Sequence, residues 1–311
     1  MPAFTASAPG KVILFGEHAV VYGQPAIAVP VLEVQAKAIL QPRPGGEGVT
    51  LIAPDISQHN QLKDLPLDDA IALTIHLTLK ELNVTEMPAC TLIVSSTIPL
   101  AAGLGSGAAV SVAIIRAVAG FLGHPLLDEA VNKIAFEVEK LHHGTPSGID
   151  NTVITYRQPV YFVKGQPIRR LEIKLPFMLV IGDTGIKVPT SVTVGDVRKA
   201  YEANPGLYET YFDACNRIAG KAVFSISDKR NAALGPLMND NHHILQQMGV
   251  SSPELDTLVD AARYAGALGA KLSGGGRGGN MIALVEPPTA EKVAAALRDA
   301  GAVSTIITTV R

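Results

Sequence analysis

The alternation of apolar and polar positions divides the chain into strand-like and helix-like stretches. Ala3–Phe15 and Ile27–Leu40 are apolar runs with β-branched residues and read as strands, separated by the turn-like Tyr22-Gly23-Gln24-Pro25. Leu67–Leu82 carries apolar residues at helical spacing, and Cys90–Ile98 reads as a strand. Ser106–Leu122 reads as a helix leaving a glycine-rich turn. A further helix is expected from Leu127 to Leu141, ending at His142-His143-Gly144, with Pro146 as a stop. Two or three strands are expected within Val160–Gly182, and Ser191–Gly266 is almost wholly helical in pattern. The last segment reads strand (Ala270–Ser273), glycine loop, strand (Asn280–Val285), helix (Ala290–Ala300), strand (Ser304–Thr309). This alternation lacks the regular βαβ rhythm of a doubly wound sheet and predicts an α+β protein. With no internal repeat or long linker to mark a border, the division is placed near residue 175, giving domains 1–175 and 176–311.

Composition narrows the class. The length of 311 residues suits two domains with a substantial core, and 47% hydrophobic against 17% charged residues excludes a disordered chain. Lys plus Arg number 26 and Asp plus Glu 28, so the net charge of −2 gives no reason to expect nucleic acid or an anionic membrane as partner. The cysteines, Cys90 and Cys215, lack metal-ligand spacing and read as buried thiols in a reducing compartment. The N-terminus has no basic region, and its apolar run Val12–Phe15 is too short for a signal peptide. Ala108–Leu122, broken by Arg116, is shorter than a membrane span and reads as a buried helix. A soluble, cytoplasmic protein is the expectation.

The chemistry concentrates in glycine-bearing segments. In Pro99-Leu-Ala-Ala-Gly-Leu-Gly-Ser-Gly-Ala-Ala109 a strand leads in and a long helix leads out. Gly103 and Gly105 permit torsions and close approach that larger residues block. The first amides of the helix lack intrahelical partners and lie at the positive end of its dipole, a setting for a phosphate chain. The segment is not a dinucleotide fingerprint, because a helix follows and Asp128 is badly placed to end a second strand. It is not a Walker loop either, because no Lys-Ser or Lys-Thr follows the glycines. A loop that merely packs a helix tightly is the structural alternative. In Ala8–Gly23, Lys11, Glu17 and His18 sit among apolar and glycine residues; singly each is ordinary, and together they suggest polar groups converging on a pocket.

The segment Glu139-Lys-Leu-His-His-Gly-Thr-Pro-Ser-Gly-Ile-Asp-Asn151 places Asp150 after a Pro-Ser-Gly turn, where a constrained loop would present its carboxylate, and Glu139 on the preceding helix. An aspartate in a turn is commonly a turn former. Phosphoryl transfer, however, needs a carboxylate near the attacking hydroxyl, a cation near the transferring phosphate and Mg²⁺ on oxygen ligands, and these segments hold all three residue types. Ala270–Asn280 carries five glycines in the six positions 274–279, more than a hairpin requires. It reads as a flexible wall over phosphates or as a plain flexible turn.

In this order the segments resemble the three signature motifs of the GHMP kinases (galacto-, homoserine, mevalonate and phosphomevalonate kinases), over a span from Ser7 to Leu284. Gly16–Gly23, His143–Asn151, Leu237–Leu245, Gly249-Val-Ser251 and Gly269–Gly274 are similar to the mevalonate kinases of that family. The resemblance implies an N-terminal domain like the second domain of ribosomal protein S5, a ferredoxin-like C-terminal domain, and ATP in the cleft between them. It also implies transfer of the γ-phosphate of ATP to the 5-hydroxyl of mevalonate for isoprenoid synthesis, with Mg²⁺ as cofactor; a homodimer is compatible with it. Carried over by motif position, Asp150 is the catalytic carboxylate and Lys11 stabilises developing charge beside it. Pro99 and Ala102, Gly103, Leu104, Gly105, Ser106, Gly107 and Ala108 form the ATP site. Glu139 and Ser106 are the metal ligands, and Glu17, His18 and, more loosely, Thr184 line the substrate site.

The chain departs from the family pattern twice. Gly107 stands where many members carry a second serine that ligates Mg²⁺, so Ser106, phosphate oxygens or water must complete the coordination. Arg277 interrupts the second glycine loop, either reaching a phosphate or pointing to solvent. Sister enzymes (phosphomevalonate kinase, mevalonate 3-kinase, a decarboxylase) and a catalytically silent binding protein are the rivals. His18 and the Asn241-His242 segment favour an unphosphorylated acid, since a phosphorylated substrate would need extra basic groups.

Overall fold

The computed structural model describes residues 2–66, 68–99, 103–143 and 146–311. Leu67, Ala102 and Gly144, each named in the sequence reading, lie outside them. The chain forms two compact units, one of Met1–Gly10, Val34–Pro99 and Gly105–Arg157, the other of Lys11–Glu33, Leu100–Leu104 and Gln158–Arg311. The first two strands, β1 (Phe4–Phe15) and β2 (Ala26–Pro42), each contribute to both.

In the first unit the C-terminal half of β2 pairs antiparallel with β5 (Cys90–Ser96), Ala36 opposite Ser96 and Leu40 opposite Leu92. Beyond β5 come β3 (Val49–Ala53), parallel to it, and β4 (Gln58–Gln61), antiparallel to β3. The last two are short strands absent from the sequence reading; β4 is Gln-His-Asn-Gln, with no apolar alternation to announce it. Among the described residues four α-helices complete the unit: α1 (Ala70–Glu81), α2 (Ser106–Phe121), α3 (Asp128–His143) and α4 (Ile149–Tyr156). The start of α1 is set by Asp69, whose Oδ1 accepts the Ile71 and Ala72 amides at 2.9 Å each. α2 packs against α1, α3 and α4, and its run of Ala, Val and Ile is buried nearly all round. No helix among the described residues is long and apolar enough to cross a membrane.

The second unit is built on an antiparallel sheet of β9 (Gly269–Ser273), β10 (Asn280–Val285), β8 (Phe177–Asp183) and β11 (Ser304–Val310), with β8 and β10 central. Ile282 faces Ile181 across one ladder and Lys271 across the other. Here the N-terminal half of β2 pairs with β6 (Val160–Phe162), and β6 with β7 (Arg169–Arg170). The helical stretch resolves into α5 (Thr190–Ala203), α6 (Pro205–Ser227), α7 (Leu234–Gln247) and α8 (Pro253–Tyr264). α8 packs on β9 and β10, while α9 (Ala290–Asp299) packs on β8 and β11. Every residue of β9 and β10 is buried, so any polar side chain there must find a partner inside.

Candidate active site

The phosphate-loop candidate keeps the conformation its glycines predict. Gly103 and Gly105 have φ of 80° and 74°, and Gly105 caps α2 without a side-chain bond. Ser106, Gly107 and Ala108 therefore open the helix with amides that have no intrahelical acceptor. Leu104 is fixed from behind, its carbonyl accepting the Lys11 amide at 2.9 Å. Pro99 is half-buried ahead of the turn.

Asp150 is not on a loop. It is the second residue of α4, a helix that the sequence reading missed because Pro146-Ser-Gly looks like an extended turn. Gly148, at φ 92°, turns the chain into the helix, and Thr152 Oγ1 donates back to its carbonyl at 2.6 Å. Asn151 donates to Asn132 Oδ1 of α3 at 2.6 Å, and Arg116 of α2 to the Thr155 carbonyl at 2.7 Å. Asp150 thus sits half-buried in the first turn of a helix anchored to two others.

Glu139, in the last turns of α3, is buried, with 4% exposure. A β-carbon built on Gly107 would lie 3.5 Å from its Oε1. α3 and α2 therefore bring together the two positions that the family resemblance assigns to the metal. A buried carboxylate beside the open end of a helix fits Mg²⁺, which is commonly held by one or two carboxylates plus substrate phosphates. Among the described residues no group of three or more His, Cys, Asp or Glu side chains forms a cage.

The second unit holds Lys11, Glu17 and His18, all buried. His18 is the centre of a tight turn: its φ and ψ are 58° and −49°, and the Ala19 amide donates to the Glu17 carbonyl at 2.6 Å. This is the rare γ-turn that strains an L-residue, and such strain concentrates at functional sites. The ring Nε2 lies 3.0 Å from the Gly275 carbonyl oxygen and must carry the proton to donate to it. Nδ1 is left as a buried acceptor with no hydrogen-bond partner among the described residues. Burial, opposed by that carbonyl, pushes the imidazole down to about 4, so the ring is neutral.

Glu17 forms a fully buried ion pair with Lys271 of β9, a residue the sequence reading did not single out. Burial pushes the carboxyl up and the ammonium down, and their mutual attraction offsets part of each effect. The missed signal was a lysine inside an otherwise apolar strand. Thr184, half-buried after β8, donates its hydroxyl to the Gly279 carbonyl at 3.0 Å and accepts the Ile186 amide. Asn241 is fully buried and directed at Cys215 Sγ, 3.6 Å away. His242 Nδ1 accepts the Leu272 amide, and its Nε2 lies 3.1 Å from Asp256 Oδ1, off the line of a hydrogen bond. The Asn241-His242 segment therefore braces the core behind β9.

Backbone hydrogen bonds tie the second glycine loop to neighbouring segments. The Arg277 and Gly279 amides donate to Val250 and Ile186 carbonyls at 2.8 Å each. A β-carbon at Gly276 would lie 1.9 Å from the Val250 oxygen, and one at Gly278 would lie 2.5 Å from the Ile186 oxygen. Arg277 engages protein groups within its own unit. Its guanidinium bonds Asp196 at 2.5 Å and the Gly249 carbonyl at 3.1 Å, and the bond holds the Asp196 carboxyl below its usual range.

Comparison with known proteins gives this geometry its class. The profile of the GHMP kinases N terminal domain matches residues 70–158, and that of the GHMP kinases C terminal matches residues 220–303. The mevalonate kinase of Pyrococcus furiosus is 40% identical over 95% of this chain and 93% of its own length. That of Aeropyrum pernix is 35% identical over 93% and 91%. Among solved structures, L. major mevalonate kinase in complex with R-mevalonate superimposes with a TM-score of 0.87 at 31% identity, covering 99% of this chain and 95% of that one. The Methanococcus jannaschii mevalonate kinase gives 0.84 at 27% identity, covering 98% and 96%. The chain belongs to the GHMP kinases, and is an ATP-dependent small-molecule kinase. Within that family its likeness is to the mevalonate kinases.

Proposed function

We propose that this chain phosphorylates mevalonate, transferring the γ-phosphate of ATP to the 5-hydroxyl. The observation that carries the reading is the 40% identity to a mevalonate kinase across 95% of the chain. The site chemistry supports it. Asp150, anchored at the start of α4, would accept or orient the proton of the attacking hydroxyl. Lys11 would stabilise charge developing on that oxygen. The amides of Gly105–Ala108 would hold the phosphate chain, which needs donors and little covalent assistance from the protein. His18, neutral, would present Nδ1 as an acceptor to a substrate hydroxyl, with Glu17 and Thr184 in supporting positions.

Mg²⁺, when bound, would neutralise charge on the phosphates. Glu139 and Ser106 would hold it, with phosphate oxygens and water completing the shell that Gly107 cannot enter. A cytoplasmic location and a domain boundary near residue 175, between the two matched segments, belong to the same proposal.

The test is ADP release with ATP and Mg²⁺ against mevalonate, phosphomevalonate, homoserine, galactose and shikimate, with the product identified by ³¹P NMR. Mevalonate-dependent turnover yielding the 5-phosphate is expected. Turnover with another acceptor alone would move the substrate assignment, and silence across the panel would favour a binding protein on this fold.

A further inference from the structure

The Glu17–Lys271 pair is an unusual thing to bury. Both side chains are fully inaccessible. Desolvating two charges costs several kcal/mol each, and an apolar pair of similar volume commonly gives equal or greater stability. The pair is therefore a poor device for stability alone. Its surroundings point elsewhere. Lys271 Nζ divides its bonds between Glu17 Oε1 and the Leu272 carbonyl, the latter at 2.6 Å. Two residues on, Ser273 Oγ accepts the Ile13 amide at 3.0 Å and donates to the Ile13 carbonyl at 2.9 Å. Residues 271 and 273 share one face of β9 by the two-residue period of a strand. That face thus grips the segment from Ile13 to Glu17 at two points, immediately before the strained His18.

A second cation bears on the same carboxylate. Glu17 lies within electrostatic reach of Lys11 as well as Lys271. Its other oxygen, Oε2, is buried without a hydrogen-bond partner among the described residues.

We infer that Lys271 is a positioning residue of the transferase site: by engaging Glu17 it holds the Glu17–His18 turn. Lys271, wholly buried, acts through Glu17. This rests on the proposed role of Glu17 and His18 at the substrate and extends it to Lys271, on the strand that leads into the second glycine loop.

A double-mutant cycle tests it, with kcat expressed per folded enzyme from the stoichiometry of ATP-analogue binding. Lys271→Met is expected to lower kcat by roughly tenfold to a hundredfold, with the KM for ATP changed less than about twofold, as removal of an interaction felt mainly in the transition state requires. Lys271→Arg, which keeps the charge, should retain more activity than Lys271→Met. In a Glu17→Gln background, adding Lys271→Met should change kcat by less than about twofold, because the carboxylate to be restrained is gone. This arm reads out even where Lys271→Met alone does not fold. The inference is overturned if Lys271→Met lowers only the melting temperature and leaves kcat per folded enzyme intact. A further tenfold loss in the Glu17→Gln background would overturn it equally. Should the wild type use an acceptor other than mevalonate, the cycle is run with that acceptor, so the substrate assignment and the role of Lys271 fail separately.

Discussion

At Gly103 an added β-carbon would meet nothing within 4 Å among the described residues, whereas at Gly276 it would lie 1.9 Å from the Val250 carbonyl oxygen. Both glycines sit in glycine-rich loops, and both have φ near 80°. In the first loop glycine serves backbone conformation and leaves open space beside it, at the end of a helix whose amides seek an acceptor. In the second it lets one stretch of backbone press against another, and the space is already filled by protein. A glycine-rich segment is therefore not in itself an open one. What separates the two is the distance to the nearest neighbour, which no reading of the glycines alone contains.

The contrast extends to what surrounds each loop, and it can be tested. The region after the first loop, with Asp150 and Glu139, carries the proposed chemistry, so damage there should change turnover and spare stability. Asp150→Asn is expected to lower kcat by roughly a hundredfold to ten-thousandfold, the range for loss of a general acid–base group. Its melting temperature should shift by no more than a few degrees, since an exposed-to-half-buried helix-end charge contributes under about 1 kcal/mol. Near-normal kcat in steady-state assays would remove Asp150 from the mechanism.

The second loop should show the reverse. Gly276→Ala adds a left-handed backbone penalty of about 1–2 kcal/mol to a direct overlap with Val250, and total destabilisation of about 3 kcal/mol or more is expected. Urea unfolding measures it, and a loss below about 1 kcal/mol would mean that the loop yields easily. The same change at Gly103 incurs the backbone term without the overlap.

Buried histidines in the second region add a pH signature. His18 and His242 are both pushed down to about 4, chiefly by burial, with Asp256 opposing the shift at His242. In the unfolded chain each titrates near 6.5, so between about 6.5 and 4 the unfolded state binds protons that the folded state refuses. Stability is accordingly lost as the pH falls through that window, by up to about 3 kcal/mol per histidine. Denaturant midpoints at pH 7, 6 and 5 should decline, and the decline should flatten in a His18→Gln, His242→Gln double variant. An unchanged slope in that variant would assign the acid sensitivity to other groups.

The smallest effect is expected at Gly107→Ser. The 3.5 Å between its added carbon and Glu139 Oε1 is ordinary contact, so stability should stay within about 0.5 kcal/mol. The new hydroxyl would enter the proposed metal shell, so the half-saturating Mg²⁺ concentration should change more than the KM for mevalonate. Identical metal titrations would show that Gly107 leaves nothing missing.

Much of the molecule was legible from its residues. The long strands and helices were, because periodicity over a dozen residues reports which face is buried. α2 was foreseen from Ser106, and the last β-α-β segment to within a residue or two. β3, β4 and α4 were not, since five, four and eight residues are too short for a period to stand out, and pairing or packing partners hold them in place. Lys11, Glu17, His18, Glu139 and Asp150 were each identifiable as polar residues in constrained segments.

Local chemistry along the chain determined where the helices begin, which loops need left-handed glycines and which polar residues stand in apolar surroundings. Only the tertiary structure decided what those residues meet. It set Lys271 against Glu17, which is 254 positions away, and Ser273 against Ile13, which is 260 away. It turned His242 into a brace for β9 and tied Arg277 to Asp196. The physical reason is that a buried charge or hydrogen-bonding group must be satisfied wherever the fold brings a partner. Sequence shows the need for such a partner, and the folded chain alone supplies its identity.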